Sequence, residues 1–136
     1  MSEIFGDNFL GIDWGASYIG IAFSDAETRM AFAVCALKND GALFDRLGEQ
    51  FRMREIGTAV IGIPSHVNRR EATYEGERFG DALKKRFPSV VVVYQDEMFT
   101  TKMAEANLRE HGIRNISRFD DQEAARIILQ EWLGKQ

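Results

Sequence analysis

The first forty residues carry three short apolar runs separated by polar or glycine-containing turns. Phe9 to Asp13 ends in a turn at Gly15, Tyr18 to Phe23 follows at once, and Ala31 to Leu37 comes after a polar connection. Short apolar runs bounded by turn residues are typical of strands, and consecutive strands joined by short turns usually pair antiparallel. We therefore predict three neighbouring antiparallel strands.

The pattern then changes to helical spacing. Residues Gly41 to Arg54 place apolar groups on one helical face, after Asn39 and Asp40 as caps. The β-branched run Thr58 to Ile63, ended by Pro64, predicts a central strand that is buried on both faces.

The remaining segments alternate in the same way. We predict a helix over Glu71 to Phe87, a strand over Val90 to Tyr94, a helix over Thr100 to Glu110, and a last helix from about Asp120 through Trp132. The order βββαβαβαα predicts an α/β fold with a five-stranded mixed sheet flanked by helices. A chain of 136 residues is expected to form a single domain, 1–136.

Composition narrows the class of protein. Hydrophobic residues make up 45% and charged residues 28%, as in ordinary globular proteins. Cys35 is the one cysteine, so an intrachain disulfide or a cysteine zinc cage is excluded, and we expect it to be a small buried hydrophobe. Neither a leader pattern nor a run of about eighteen apolar residues is present, so we expect a cytoplasmic protein without membrane contact.

The net charge of −4 counts against nucleic-acid binding, which draws much of its strength from Lys and Arg contacts to phosphates. Local groups of basic residues partly offset this negative net charge. They are Arg69 and Arg70, then Lys84, Lys85 and Arg86, then Arg109, Arg114 and Arg118. The sequence leaves open whether these groups share a face.

Acidic residues stand where predicted strands end or a helix begins. Asp13 ends the first strand, Asp96 and Glu97 follow the fifth, and Asp120 and Asp121 open the last helix. Sites in mixed α/β sheets gather at such ends. Crowded carboxylates favour a hard cation such as Mg²⁺ or Mn²⁺, and two such ions about 4 Å apart can promote phosphodiester hydrolysis.

Each acid also has a purely structural interpretation. Asp13 could cap the turn at Gly15, Glu97 could be a solvated charge at a strand end, and Asp121 could be an N-cap or first-turn acid that the helix dipole favours. The pattern alone does not decide between these interpretations and a metal site.

Four segments, in order, resemble those of the YqgF/RuvX family, Holliday-junction-resolvase-like nucleases of the ribonuclease H-like superfamily. They are FLGIDWGASYIGIAFSD, AVIGIPSHVN, VVYQDEMFTT and DDQEAARIILQEWL. The order and spacing of the segments match over nearly the whole chain. The resemblance implies a ribonuclease H-like fold and a metal-dependent nuclease that acts on nucleic acid.

Residue roles follow from the resemblance position by position. It implies that Asp13, Glu97 and Asp121 are the catalytic, metal-binding acids, with Asp96 and Asp120 as alternative ligands, and that Thr100 and Thr101 support the turn after Glu97. The implied substrate is the small-subunit ribosomal RNA precursor, or else a Holliday junction in DNA. A junction resolvase is expected to be a homodimer, whereas RNA trimming requires only a monomer.

The chain departs from the family pattern at three places. Tyr18 and Met98 stand where the family usually carries Arg, and the segment after Pro64 reads Ser-His-Val-Asn-Arg-Arg. Losing two guanidinium groups removes bidentate phosphate contacts. In that segment, His66, Arg69 and Arg70 are candidate substrate contacts that could compensate.

Two glycines have physical interpretations. Gly15 would let backbone and ligand approach closely beside Asp13, since glycine lacks a Cβ and tolerates positive φ. Gly20, inside a strand, indicates close packing. Trp14 is expected to pack in the core or, less readily, to stack on an unpaired base.

Two rival functions remain. An Asp-x-Gly turn between strands also begins actin-like ATPases and sugar kinases, but those enzymes close two domains around ATP and this chain supplies one. The second rival is a diverged family member that binds nucleic acid or a protein and no longer cleaves. Tyr18, Met98 and the acidic net charge favour this second function.

Overall fold

A computed structural model of the chain describes residues 3–63, 70–96 and 117–136. In chain order it contains β1 (Asn8–Asp13), β2 (Tyr18–Ser24), β3 (Phe32–Lys38), α1 (Leu43–Met53), β4 (Ile56–Ile63), α2 (Arg70–Arg86), β5 (Val91–Asp96) and α3 (Ser117–Gly134). These bounds agree with the predicted elements to within a few residues. The helix predicted over Thr100 to Glu110 lies outside the described residues.

The five strands form one mixed sheet in the order β3-β2-β1-β4-β5. The pairs β1–β2 and β2–β3 are antiparallel, whereas β1–β4 and β4–β5 are parallel. The prediction of a mixed five-stranded sheet is therefore confirmed. Because β1, β4 and β5 run in the same direction, their carboxyl ends lie at one edge of the sheet, which we call the carboxyl edge.

Helices cover both faces of the sheet. On one face, α1 and α2 pack on the larger core cluster, which includes Ile12, Phe51, Ile61 and Leu83. On the other face, α3 packs on a smaller cluster built around Val60, Ala125, Ile128 and Leu129. The sheet is thus the middle layer of three, with strand residues alternating between the two faces.

The packing of α3 against β1 fixes the direction of the helix. The rings of Phe9 and Trp132 lie 5.6 Å apart, centroid to centroid. Two residues further along β1, a Cβ on Gly11 would lie 2.7 Å from both the Ala125 carbonyl oxygen and the Leu129 Cβ. Going from Phe9 to Gly11 along β1 therefore means going back along α3 from Trp132 to Ala125, so α3 crosses β1 with its amino-terminal part towards the carboxyl edge.

Three local predictions need correction. Helix α3 begins at Ser117, not near Asp120. Helix α1 has Ala42 at its N-cap and no side-chain cap, because Asn39 donates to the Gly15 carbonyl and Asp40 accepts from the Ala42 N–H. Cys35 is only half-buried, packed against the larger cluster.

In the described part of the chain, every helix is too short or too polar to cross a membrane.

Candidate active site

Asp13 and Asp121 are brought together through Gly20. In the β1–β2 ladder, Asp13 lies directly opposite Gly20, a position that puts two Cα atoms about 5 Å apart. An ideal Cβ on Gly20 would overlap the backbone carbonyl of Asp121. Helix α3 therefore rests on the sheet at the residue beside Asp13. The close packing predicted for Gly20 is confirmed.

The side chain of Asp13 faces the helix that carries Asp121. In β1, Leu10 and Ile12 belong to the cluster beneath α1 and α2, whereas Phe9 packs against α3. Strand alternation puts Asp13 on the α3 face with Phe9. Both Asp13 and Asp121 are half-buried. The first and the last of the predicted acids therefore lie on the same face of the sheet, one strand apart at the carboxyl edge, although 107 residues lie between them in the sequence.

Asp96 ends β5 at the same edge but on the other face. Tyr94 belongs to the cluster beneath α1 and α2. Gln95 is buried, and its side chain contacts Glu131 of α3 at 3.5 Å and Lys135, just after the end of α3, at 3.4 Å. By alternation Asp96 lies on the face of Tyr94, and its side chain is exposed. Asp96 thus reaches the carboxyl edge while facing away from α3.

Asp121 lies well inside its helix. Because α3 begins at Ser117, Asp121 is its fifth residue, past the first turn. An N-cap or first-turn role for Asp121 is therefore wrong. A residue at this depth has its backbone N–H inside the helical ladder, so its carboxylate is not needed to satisfy a terminal N–H group.

The turn after Asp13 is built by close backbone contacts. A Cβ on Gly15 would collide with the Tyr18 carbonyl oxygen. The Asn39 side-chain amide donates a hydrogen bond of 2.8 Å to the Gly15 carbonyl. Gly15 does not have positive φ. Lack of space, and not left-handed backbone, is what requires glycine here, so the positive-φ argument for Gly15 is wrong.

Several predicted site residues lie outside the described residues: Glu97, Thr100, Thr101, His66 and Arg69. Arg70 begins α2, and Asp120 precedes Asp121 in α3; for these two residues the backbone alone is described. Met98 is also outside the described ranges, whereas Tyr18 begins β2 opposite Lys38.

Two carboxylates alone do not make a complete metal cage. Among residues 3–63, 70–96 and 117–136, no three His, Cys, Asp or Glu side chains form a group able to hold a metal ion. Asp13 and Asp121 supply hard oxygen donors from two different elements. This donor type suits Mg²⁺ or Mn²⁺, and Mg²⁺ is commonly held by only one or two carboxylates.

The basic group Lys84 to Arg86 is remote from these acids. It forms the last turn of α2, which leads through Pro88 into the amino end of β5, at the edge opposite Asp13. Lys84 lies over the Tyr94 ring at 5.9 Å, and Arg86 pairs with Asp45 at 2.7 Å. Lys84 and Arg86 therefore have structural partners of their own.

Two supporting residues, Gly11 and Asn39, are not marked as site residues by the sequence pattern. Gly11 leaves the space in which α3 seats, and the signal was its position in the alternation of Phe9, Gly11 and Asp13. Asn39 holds the turn that follows Asp13, and nothing local in the sequence distinguishes that role from helix capping.

Solved structures with the same architecture identify the fold. A structure described as Thermus thermophilus RuvC in complex with Holliday junction substrate matches with a TM-score of 0.60 and 17% identity, covering 95% of each chain. The resolvase of a Fowlpox virus resolvase and Holliday junction DNA complex matches with a TM-score of 0.56 and 9% identity, covering 95% of this chain and 98% of that one. The fold is therefore the ribonuclease H-like α/β fold of resolvases.

Sequence comparison defines the family. Residues 7–135 match the RuvX family model, described as Holliday junction resolvase. A Burkholderia ambifaria protein named "Putative pre-16S rRNA nuclease" is 35% identical, over 93% of this chain and 88% of its own. A Burkholderia vietnamiensis protein of the same name is 36% identical, over 93% and 89%. The chain belongs to the RuvX family, as the resemblance of its four segments implied.

Proposed function

We propose that this protein is a metal-dependent nuclease that hydrolyses phosphodiester bonds, with Asp13, Glu97 and Asp121 as its catalytic acids. The observation that carries the proposal is the seating of α3 on Gly20, which brings Asp121 to the strand position beside Asp13. The family match and the names of the relatives support the same activity.

The two described acids fit the proposed metal. Their oxygens are the donors that Mg²⁺ and Mn²⁺ prefer, and the remaining positions can be filled by substrate oxygens and water. When bound, such an ion activates water for attack on phosphorus and neutralises charge on the leaving oxygen. Asp13 is fixed within a strand that has neighbours on both sides, and Asp121 within a packed helix. Rigid elements of this kind hold ligands in place before the metal arrives.

The third acid is assigned by face and by family pattern. Asp96 lies on the face away from α3, so it is poorly placed to share an ion with Asp13 and Asp121. Glu97, the next residue in the sequence, is the acid that we propose instead. Asp120 precedes Asp121 in a helix, where neighbouring side chains diverge by about 100°, so we assign Asp121 and not Asp120.

The proposed substrate is the precursor of the small-subunit ribosomal RNA. Curated relatives about 35% identical to this chain carry that substrate in their name. The description of the family model favours a four-way DNA junction as the second substrate. We expect the protein to act in the cytoplasm, with Gly15, His66, Arg69 and Arg70 contacting the substrate and Thr100 and Thr101 supporting the turn after Glu97.

The test uses purified protein and an Asp13→Asn variant. Each is incubated with single-stranded RNA, ribosomal precursor RNA and a four-way DNA junction, in Mg²⁺, Mn²⁺ or EDTA, and cleavage is followed on denaturing gels. We expect cleavage that requires both the metal and Asp13, with the precursor RNA cut fastest.

Other outcomes change the assignment. Faster cutting of the junction would replace the RNA substrate with DNA. No cutting of any substrate by folded protein would contradict the nuclease proposal and favour a diverged binding module. In that case Tyr18→Arg and Met98→Arg, made together, test whether restoring the family's two guanidinium groups restores activity.

A further inference from the structure

A groove opens at the carboxyl edge, on the face of the sheet opposite the two acids. It has a volume of about 400 Å³ and its lining includes Trp14, Asn39, Phe44, Glu75, Arg78 and Phe79. We call it the Trp14 groove. It lies between the start of α1 and the first half of α2, and a volume of this size is typical of small-ligand sites.

The groove adjoins the site through the backbone. Trp14 follows Asp13 directly, so their Cα atoms are about 3.8 Å apart. Trp14 packs against the cluster beneath α1 and α2, whereas Asp13 faces α3. A strand of nucleic acid that crosses the carboxyl edge with a phosphate at Asp13 therefore has a neighbouring nucleotide beside Trp14.

Aromatic groups form much of the groove wall. Trp14 is half-buried, which leaves part of its indole exposed at the opening. Phe44 and Phe79 are stacked on each other, with centroids 5.9 Å apart and planes 11° apart. A partly exposed tryptophan that shares a groove with two stacked phenylalanine rings offers a surface on which a base of any sequence can stack.

Among its described lining residues the groove carries one cation, Arg78, and two acids, Asp40 and Glu75. Arg78 is exposed and makes no ion pair with any residue in the described ranges. Asp40, which also lines the groove, is paired with Arg46. The two hydrogen bonds from Arg46, of 2.9 and 3.2 Å, are the main cause that lowers the pKa of Asp40. Glu75 is the remaining acid, so Arg78 is the cation available to a phosphate.

We infer that the Trp14 groove binds one unpaired nucleotide of the nucleic-acid substrate, with its base stacked on Trp14 and a phosphate oxygen accepting hydrogen bonds from Arg78. The inference rests on the proposed nuclease function and adds a feature of the substrate to it. One nucleotide away from the cleaved bond, the substrate strand is unpaired, either because it is single-stranded or because its duplex is distorted there.

Binding is measured through the fluorescence of Trp14. Trp132→Phe leaves Trp14 as the one tryptophan and keeps an aromatic ring against Phe9, and Asp13→Asn in the same protein prevents cleavage. The probe is a short single-stranded RNA with a dye at one end, whose anisotropy reports binding independently. We expect saturable quenching of Trp14 that parallels the anisotropy, and weaker quenching with an RNA of abasic sites.

Three variants test the two contacts. Trp14→Leu removes the aromatic face while keeping apolar bulk against the core, and we expect it to weaken RNA binding roughly 10-fold. Trp14→Phe should stay within about 3-fold of the wild type. Arg78→Gln should weaken binding and lower its salt dependence by about one phosphate contact. Arg86→Gln, on the same helix and at the opposite edge, is the matched control.

The outcomes separate this inference from the nuclease proposal. RNA binding without Trp14 quenching, or Asp13-dependent cleavage unaltered in Trp14→Leu and Arg78→Gln, overturns the groove and leaves the nuclease intact. Quenching in the Asp13→Asn protein, combined with no cleavage by protein that keeps Asp13, retains the groove and contradicts the nuclease. An absence of RNA binding by folded protein contradicts both, and quenching by double-stranded RNA equal to that by single-stranded RNA overturns the unpaired nucleotide.

Discussion

The backbone carbonyl of Asp121 lies against the α-carbon of Gly20, in the space that any other residue would fill with its Cβ. Gly20 is also the ladder partner of Asp13. One small residue thus decides how closely helix α3 approaches the strand that carries the first acid. The candidate site depends on this contact as much as on the acids.

Replacing Gly20 with Ala should damage both stability and activity. The added methyl overlaps helix backbone, which cannot rotate away as a side chain can, so we expect a loss of at least about 2 kcal/mol in the free energy of unfolding. Metal-dependent cleavage should fall further than the folded fraction does. Chemical denaturation and the cleavage assay check the two effects.

The matched control is Gly41→Ala, where a Cβ meets nothing within 4 Å. It should change the unfolding free energy by no more than about 0.5 kcal/mol. A Gly20→Ala protein as stable and as active as Gly41→Ala would show that α3 does not seat on the sheet as described.

Asp96→Asn should leave cleavage within about 3-fold of the wild type, because Asp96 faces the layer of α1 and α2 and away from α3. Asp13→Asn, the same chemical change at the same edge, should remove nearly all activity. Initial cleavage rates at saturating Mn²⁺ compare them. An Asp96→Asn protein as inactive as Asp13→Asn would exchange the assignments of Asp96 and Glu97.

Divalent metal should stabilise the folded protein through Asp13 and Asp121. A ligand that binds only the native state adds about 2.7 kcal/mol to the unfolding free energy at 100 times its dissociation constant. We therefore expect Mn²⁺ to raise the melting temperature of the wild type, and to raise that of Asp121→Asn much less. An equal rise in both proteins would place the bound metal elsewhere.

Cys35 should react slowly with thiol reagents in the folded protein. Burial is the main cause that raises its pKa above the ordinary 9.0, with Arg54 opposing it, and the thiolate is the reactive form. The pKa of Cys35 is therefore higher in the folded protein than in the unfolded chain. The thiol contributes fully to stability at a pH below its unfolded pKa, and this contribution is lost as the pH rises from the unfolded pKa through the folded pKa.

The measurement is the rate of alkylation of Cys35 between about pH 7 and pH 10, in native protein and in denaturant. We expect the native rate to be lower throughout and its midpoint to lie at higher pH. Equal rates and midpoints in the two states would mean that the thiol is not shielded as described.

Much of the fold could be predicted from the sequence, because most elements carry their own signals. The apolar run before Pro64 indicated a central strand, the run Val90 to Tyr94 indicated another strand, and helical spacing indicated α1 and α2. The start of α3 was placed three residues late, since Ser117 to Asp120 carry no helical apolar pattern. Such ends depend on tertiary packing and are the least marked in a sequence.

The sequence indicated which residues belong to the candidate site better than it indicated how they are arranged. Asp13 and Asp121 were both named, and Gly20 was expected to pack closely. The roles of Gly11 and Asn39 depend on where α3 and the turn after β1 dock, which a single sequence does not reveal. The face of Asp96 was equally hidden, since a single sequence does not fix which of two adjacent acids at a strand end faces α3.

The decisive experiment is the cleavage rate, as a function of Mn²⁺ concentration, of the wild type, Asp13→Asn, Asp121→Asn and the double variant. If the two acids hold one ion, each single variant should lose at least about 100-fold, and the double variant should be no slower than the worse single, because residues that act as a unit are not additive. Near-normal rates in either single variant, or losses that multiply in the double, would contradict a shared site.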